Sequence, residues 1–208
     1  MKKSKTRELV QVALLVAIIV LMAVTPFLGY IPLGFTKATL IHIPVIIGSI
    51  ILGPMWGAFL GAVFGLTSLL NATFNPTLTS FVFSPFVTIG GYGGNAFSLV
   101  IAFVPRILIG VVPYYVYKAL KKKSKKEGLP LLCAGVAGSL TNTILVMGMI
   151  YIFFGESYAA AQSMSVSALN VAILSVIGIN GVPEAIVAGL VTLAVCKALS
   201  KVLRQMPT

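Results

Sequence analysis

TLIHIPVIIGSIILGPMWGAFLGAVFGLTSLLN, residues 39–71, decides how this chain is read. Between Leu40 and Leu70 no side chain carries a formal charge at neutral pH. Such a segment suits lipid, where hydrocarbon offers the backbone no partner and a helix must satisfy its own N–H and C=O groups. The run is longer than a single crossing, which takes roughly 20 residues. Gly53-Pro54 is its natural break, because proline inside a helix removes a hydrogen bond and clashes with the preceding turn. The reading is two helices joined by a tight turn. On the second, Gly57, Gly61 and Gly65 stack on one face as a GxxxGxxxG helix-packing ridge. A ridge of that kind lets a neighbouring backbone approach closely.

The rest of the composition agrees. Of 208 residues 58% are hydrophobic and 9% charged, with a mean hydropathy of +1.05. A soluble domain carries about 25% charged residues. Fifteen bases oppose four acids, Glu8, Glu127, Glu156 and Glu184. The bases do not line a nucleic-acid groove. They gather in the N-terminal tail, in KALKKKSKKE at 118–127 and in the C-terminal tail, the placement that marks cytoplasmic flanks of membrane spans. Cys133 and Cys196 lie in apolar runs without metal-ligand spacing, so no metal site is expected. The first apolar stretch exceeds a signal-peptide core and lacks a cleavage motif, so it is kept as a span.

The fold class expected is an all-α integral membrane protein, a single domain over 1–208 with six transmembrane helices in a compact bundle and both termini cytoplasmic. The helices fall near 9–27, 40–52, 55–70, 96–120, 131–154 and 184–203. Loops at 29–38 and 73–95 lie outside, and 118–127 forms a basic inner loop. The outer loop at 73–95 is long for a bare connection and reads as a lid, with FVFSPF at 81–86 as its apolar part and glycines 90, 91, 93 and 94 as turns or hinges. The alternative for it is an interfacial re-entrant hairpin. Residues 168–178 are half a crossing, and Asn180-Gly181-Val182-Pro183 reads as an outer-side turn before the last helix.

Polar residues within or near spans are the candidate site, and they lie from the midplane outward. Arg106 is the most informative, since an isolated guanidinium in lipid costs several kcal/mol unless paired or hydrated. Its partner is Glu184, a backbone carbonyl or the carboxylate of a bound solute. Asn142 is either glue between helices or a donor to ligand. His42 is either a hydrogen-bonded structural residue or a binding one, and Lys37 either snorkels or attracts an anion. Asn75, Asn95 and Asn180 complete the polar set, with Phe81 and Phe83 as apolar cover. Ala13 and Ala17 form a small-xxx-small face that serves internal packing or docking. No P-loop, HExxH or paired carboxylates on one helix support an enzyme. No repeated halves with matching broken helices support a self-sufficient secondary carrier.

HIPVIIGSIILGP and WGAFLGAVFGLTS (within His42–Ser68), FSPF at 83–86, the basic inner loop and ALLVA in helix 1 resemble the substrate-binding S components of energy-coupling factor vitamin transporters of bacteria, nearest the pantothenate-type group. The resemblance covers nearly the whole chain and is strongest in helices 2 and 3. It implies a multi-pass protein of the cell membrane that binds a vitamin near the outer face beneath two loops. It also implies association with a transmembrane scaffold subunit and two cytoplasmic ATPases, with ATP and Mg used by those partners and no cofactor on this chain. The family's scaffold-docking motif corresponds to Ala13 and Ala17. For pantothenate, Arg106 suits the carboxylate, while Asn142, Asn180, Asn75 and His42 suit the hydroxyls and amide. If Glu184 neutralises Arg106, a neutral vitamin such as a hydroxymethylpyrimidine or a pyridoxine-like ring fits better. An autonomous small carrier and a membrane-embedded enzyme are the competing classes.

Overall fold

The computed structural model describes residues 5–25, 28–33, 36–124 and 128–205. Helix α1 (Lys5–Val24) leads into an antiparallel hairpin of β1 (Tyr30–Leu33) and β2 (Thr36–Thr39). Helix α2 (His42–Leu52) follows, then α3 (Pro54–Phe74). The break between these two falls on Gly53, whose φ of 98° is a left-handed value that favours glycine. Gly53 N–H closes α2 by donating to the Ser49 carbonyl, and Pro54 takes the first position of α3, where a missing N–H is no loss.

The connection after α3 is compact. A 3₁₀ turn spans Ser80–Val82, and a short hairpin pairs β3 (Thr88–Ile89) with β4 (Tyr92–Gly93). Gly90 and Gly91 form its two-residue tip, both at positive φ, which the right-handed twist of a hairpin favours. Helix α4 (Ala96–Ile109) and α5 (Val112–Lys123) make one bent crossing, and α6 (Gly128–Ala161) returns. Helix α7 (Val166–Val176) runs through a π-helical turn, Ile177–Gly181, directly into α8 (Val182–Gln205).

That continuity corrects the expected turn at Asn180–Pro183. Pro183 has no N–H to return to the Ile179 carbonyl, and the chain absorbs the lost bond by widening locally to i→i+5 bonding rather than by ending the helix. The helix expected to end near 154 is also longer. Helix α6 runs on through Gly155 to Ala161, and only a short turn precedes α7.

Five helical runs among the described residues are long and apolar enough to cross a bilayer, with α2 a shorter apolar helix in their midst. The outward faces are apolar: Leu14, Leu21, Met55, Phe74, Ile152 and Leu174 are all exposed. An exterior of this kind has lipid as its solvent, and the chain is a multi-pass membrane protein. Helix α2 is buried from His42 to Ser49, so its short length meets protein rather than lipid. Helix α1 is the least embedded, with Val12 and Ile19 its buried positions. Ala13 and Ala17 lie on its exposed side.

Close packing decides where the walls of the site stand. The glycine ridge of α3 lies directly on α4. A β-carbon added at Gly61 would come within 2.8 Å of the Arg106 carbonyl carbon, and one at Gly65 within 2.9 Å of the Ala102 carbonyl oxygen. Gly57 and Gly110 face each other, each blocking a side chain on the other. On the far side α6 packs on α8, where Gly135 meets Ala188 and Gly189, and Gly181 meets Thr143.

Candidate functional site

Pro105 creates the chemistry at the first wall. Within α4 it lacks the N–H that would bond to the Ile101 carbonyl four residues earlier. Arg106 supplies the missing donor: its Nη1 donates to that carbonyl at 2.7 Å. Nη2 reaches Ser68 Oγ on α3 at 3.4 Å. The guanidinium carbon lies 5.5 Å from the Phe64 ring centre and 5.2 Å from that of Phe83, so two aromatic faces flank the cation. Arg106 is only 5% exposed, and its Nε is buried without a hydrogen-bond partner. A buried donor without a partner is costly, and a guanidinium presents its donors as a fork that fits a carboxylate.

Glu184 stands on the other wall, in the first turn of α8. It does not pair with Arg106. Its Oε1 accepts the Thr39 N–H at 3.0 Å, which ties the β1–β2 hairpin to α8. Thr39 Oγ1 and the Leu40 N–H both donate to the Gly29 carbonyl, at 3.2 and 3.0 Å, closing the base of the hairpin. Asn180 lies one turn before Glu184, and both are buried. Asn142 of α6 is 6% exposed, with its Oδ1 buried and unpartnered.

These two walls enclose a cavity of about 420 Å³, a size typical of small-molecule sites. Arg106, Asn142, Asn180, Glu184 and Phe83 all line it. Tyr30 of the hairpin also lines it, with its hydroxyl buried. Burial raises the Tyr30 phenol's pKa, and the Arg106 charge opposes the rise. A neighbouring chamber of about 400 Å³ shares Met147, Tyr158, Gln162, Val176 and Asn180 with the main cavity.

Other expected site residues stand elsewhere. His42 is fully buried in the apolar core around Ile41 and Ile43 and does not line the cavity, because the α2 turn carries its ring inward. Both its ring nitrogens are without hydrogen-bond partners. Asn75 is exposed at the end of α3 and donates to Asn71 Oδ1 at 3.3 Å; Asn71, a turn earlier, lines the cavity instead. Asn95 is spent on capping α4: its Oδ1 accepts the Phe97 N–H at 2.8 Å, and the Asn95 N–H donates to Ser98 Oγ at 3.0 Å. The Lys37 side chain lies outside the described residues.

Phe81 and Phe83 take different places in the 73–95 loop. Phe81 is wholly buried, packed on Phe154 and Tyr92, and its carbonyl accepts from Ser98 Oγ at 2.7 Å. It anchors the lid rather than touching the cavity. Phe81→Ala is therefore expected to lower stability by about 3 kcal/mol, read as a lower unfolding midpoint in detergent. Phe83→Ala is expected to lower that midpoint less, because Phe83 is only half-buried. Thr73 Oγ1 and Ser84 Oγ, 2.8 Å apart, and the Thr77 N–H to Ser80 Oγ bond at 2.8 Å fasten the rest of the loop.

With the geometry in place, the chain can be set beside known proteins. Residues 7–196 match the family described as the substrate-specific component of ECF transporters. The chain belongs to that family. It is 42% identical over 203 residues to the pantothenic acid transporter PanT of Lactococcus lactis subsp. cremoris, covering 97% of each chain. It is 34% identical over 157 residues to the pantothenate transporter PanT of Leuconostoc mesenteroides subsp. mesenteroides, covering 72% of this chain and 69% of that one. The crystal structure of an S-component for biotin from an ECF-type ABC transporter superposes with a TM-score of 0.54 at 17% identity, over 95% of this chain and 94% of that one. That likeness speaks for the fold alone.

Proposed function

We propose that the cavity binds pantothenate and that the chain delivers it inward as the vitamin-binding subunit of an ATP-driven transporter. The observation that carries this reading is Arg106, which lines the cavity, keeps a buried Nε without a hydrogen-bond partner and is joined to no acid. Pantothenate offers a carboxylate for that fork, and an amide and two hydroxyls for the asparagines and Glu184. Its gem-dimethyl carbon suits the aromatic side of Phe83. Both PanT relatives support the choice of solute. A neutral vitamin was the better fit only if Glu184 cancelled Arg106 by pairing with it, and Glu184 binds Thr39 instead.

In this reading the basic ends of α5 and α8 face the cytoplasm, as the positive-inside rule directs, and the hairpin end opens outward. Family membership implies a scaffold and ATPase module. A transmembrane scaffold subunit docks on the exposed Ala13 and Ala17 face, and two ATPases supply the energy with ATP and Mg. The chain itself carries no cofactor.

The test is uptake in proteoliposomes. Labelled pantothenate is expected to accumulate only when scaffold, ATPases and internal ATP are all present. Accumulation by the chain alone would instead make it an autonomous carrier. Replacing both Ala13 and Ala17 with tryptophan is expected to leave binding intact and reduce uptake at least about tenfold, because bulk on that face blocks close helix approach.

A further inference from the structure

An arginine on α4 and a glutamate on α8 both line the cavity, and the two do not pair. Arg106 belongs to the α3–α4 wall, where its guanidinium is held by Ile101 and Ser68. Glu184 belongs to the α6–α8 wall, where one carboxylate oxygen is held by Thr39. An ionised carboxylate is acceptor-only and has capacity for several hydrogen bonds, so one backbone donor leaves Glu184 able to take more. Beside it Asn142 Oδ1 is a further buried acceptor without a donor. One wall therefore asks for an anion and the other for hydrogen-bond donors.

We propose that Glu184 is a specificity-determining residue: it fixes the direction of the bound solute and refuses any solute that bears a second negative charge at the end away from Arg106. This rests on the pantothenate reading. With its carboxylate on Arg106, the vitamin's terminal hydroxyl points to the α6–α8 wall and donates to Glu184. Phosphorylation of that hydroxyl removes the donor and sets a phosphate against a carboxylate. Both effects oppose binding, since like charges set against each other within an interface repel and a buried acceptor is left unpaired.

Calorimetric titration of the full chain in detergent tests this with three solutes: pantothenate, its 4′-phosphate, and a neutral 4′-ester of similar bulk. Wild type is expected to bind the phosphate at least about 100-fold more weakly than pantothenate, and the neutral ester within about tenfold. In Glu184→Gln the amide oxygen still accepts from Thr39, so the hairpin stays tied while the charge is gone. Pantothenate affinity is expected to fall about tenfold there, and the penalty for the phosphate to shrink to about tenfold. Equal binding of phosphate and parent overturns the proposal. So does an ester rejected as strongly as the phosphate, which would assign the exclusion to size, or an unchanged ratio in Glu184→Gln. The wild-type comparison of phosphate with ester decides the matter even if the variant fails to fold. Failure of wild type to bind pantothenate itself, seen in the first titration, overturns the earlier reading and this one with it.

Discussion

Arg106→Ala is expected to weaken pantothenate binding by at least about 100-fold, the scale set when one partner of a buried, hydrogen-bonded charge pair is truncated. The cause is geometric as well as electrostatic. The side chain is held in place from three directions, by Ile101, by Ser68 and by the rings of Phe64 and Phe83. Its Nε is the donor that these contacts leave without a partner. Arg106→Lys is expected to recover little of the loss, because an ammonium offers a point charge rather than a fork and cannot serve the Ile101 carbonyl and a carboxylate together in the same geometry. Calorimetry in detergent measures both. Removing the buried cation also leaves the Ile101 carbonyl unserved beside Pro105, so a modest fall in unfolding midpoint is expected alongside.

Gly61→Leu is expected to have the second large effect, this time on the fold. The new side chain would enter the Arg106 backbone itself, which cannot move without displacing α4. Overpacking in a well-packed core costs typically 1–3 kcal/mol and more where the obstacle is backbone. The variant should be purified poorly or aggregate in detergent, and any folded fraction should bind pantothenate weakly because Arg106 is pushed out of register. Gly148→Ala is the matched control: its added carbon meets nothing within 4 Å, and no change is expected. Size-exclusion profile and unfolding midpoint separate the two.

These residues also show how far the sequence could be read. The GxxxGxxxG spacing on α3 declared that a backbone would lie against it, but nothing local said whose. Only the fold shows that it is the backbone of Arg106, so the packing motif seats the residue proposed to hold the solute. Arg106 itself was legible because a charge in an apolar run needs a reason, and the preceding proline even names its carbonyl partner by helix geometry. Glu184 and Asn180 were legible as polar residues in an apolar run, yet Thr39, which donates to Glu184, lies 145 residues from it and no pattern joins the two.

Other signals were ambiguous for physical reasons. Asparagine is favoured equally at caps and in sites, so Asn95 and Asn75 could not be told from Asn71 without the turn geometry. Phe81 and Phe83 stand two residues apart at a 3₁₀ turn, where no regular period tells which ring faces the cavity. The Asn180–Pro183 sequence reads as a break in water, but packing of α8 on α6 holds the helix together and turns the break into a π-turn. Tyr30, Tyr158 and Gln162 were missed as cavity residues. Tyr30 carried the signal of an aromatic at the headgroup level, whereas Tyr158 and Gln162 sit on and just beyond a helix end that the apolar pattern stops short of.

Native mass spectrometry of the detergent-purified chain, incubated with pantothenate and released gently from micelles, tests the central claim most directly. The expected result is a protein peak shifted by the mass of a single pantothenate, with no scaffold or ATPase present, and loss of that shift in Arg106→Ala. A well-folded chain that retains no pantothenate, or that retains a neutral vitamin in its place, would contradict it.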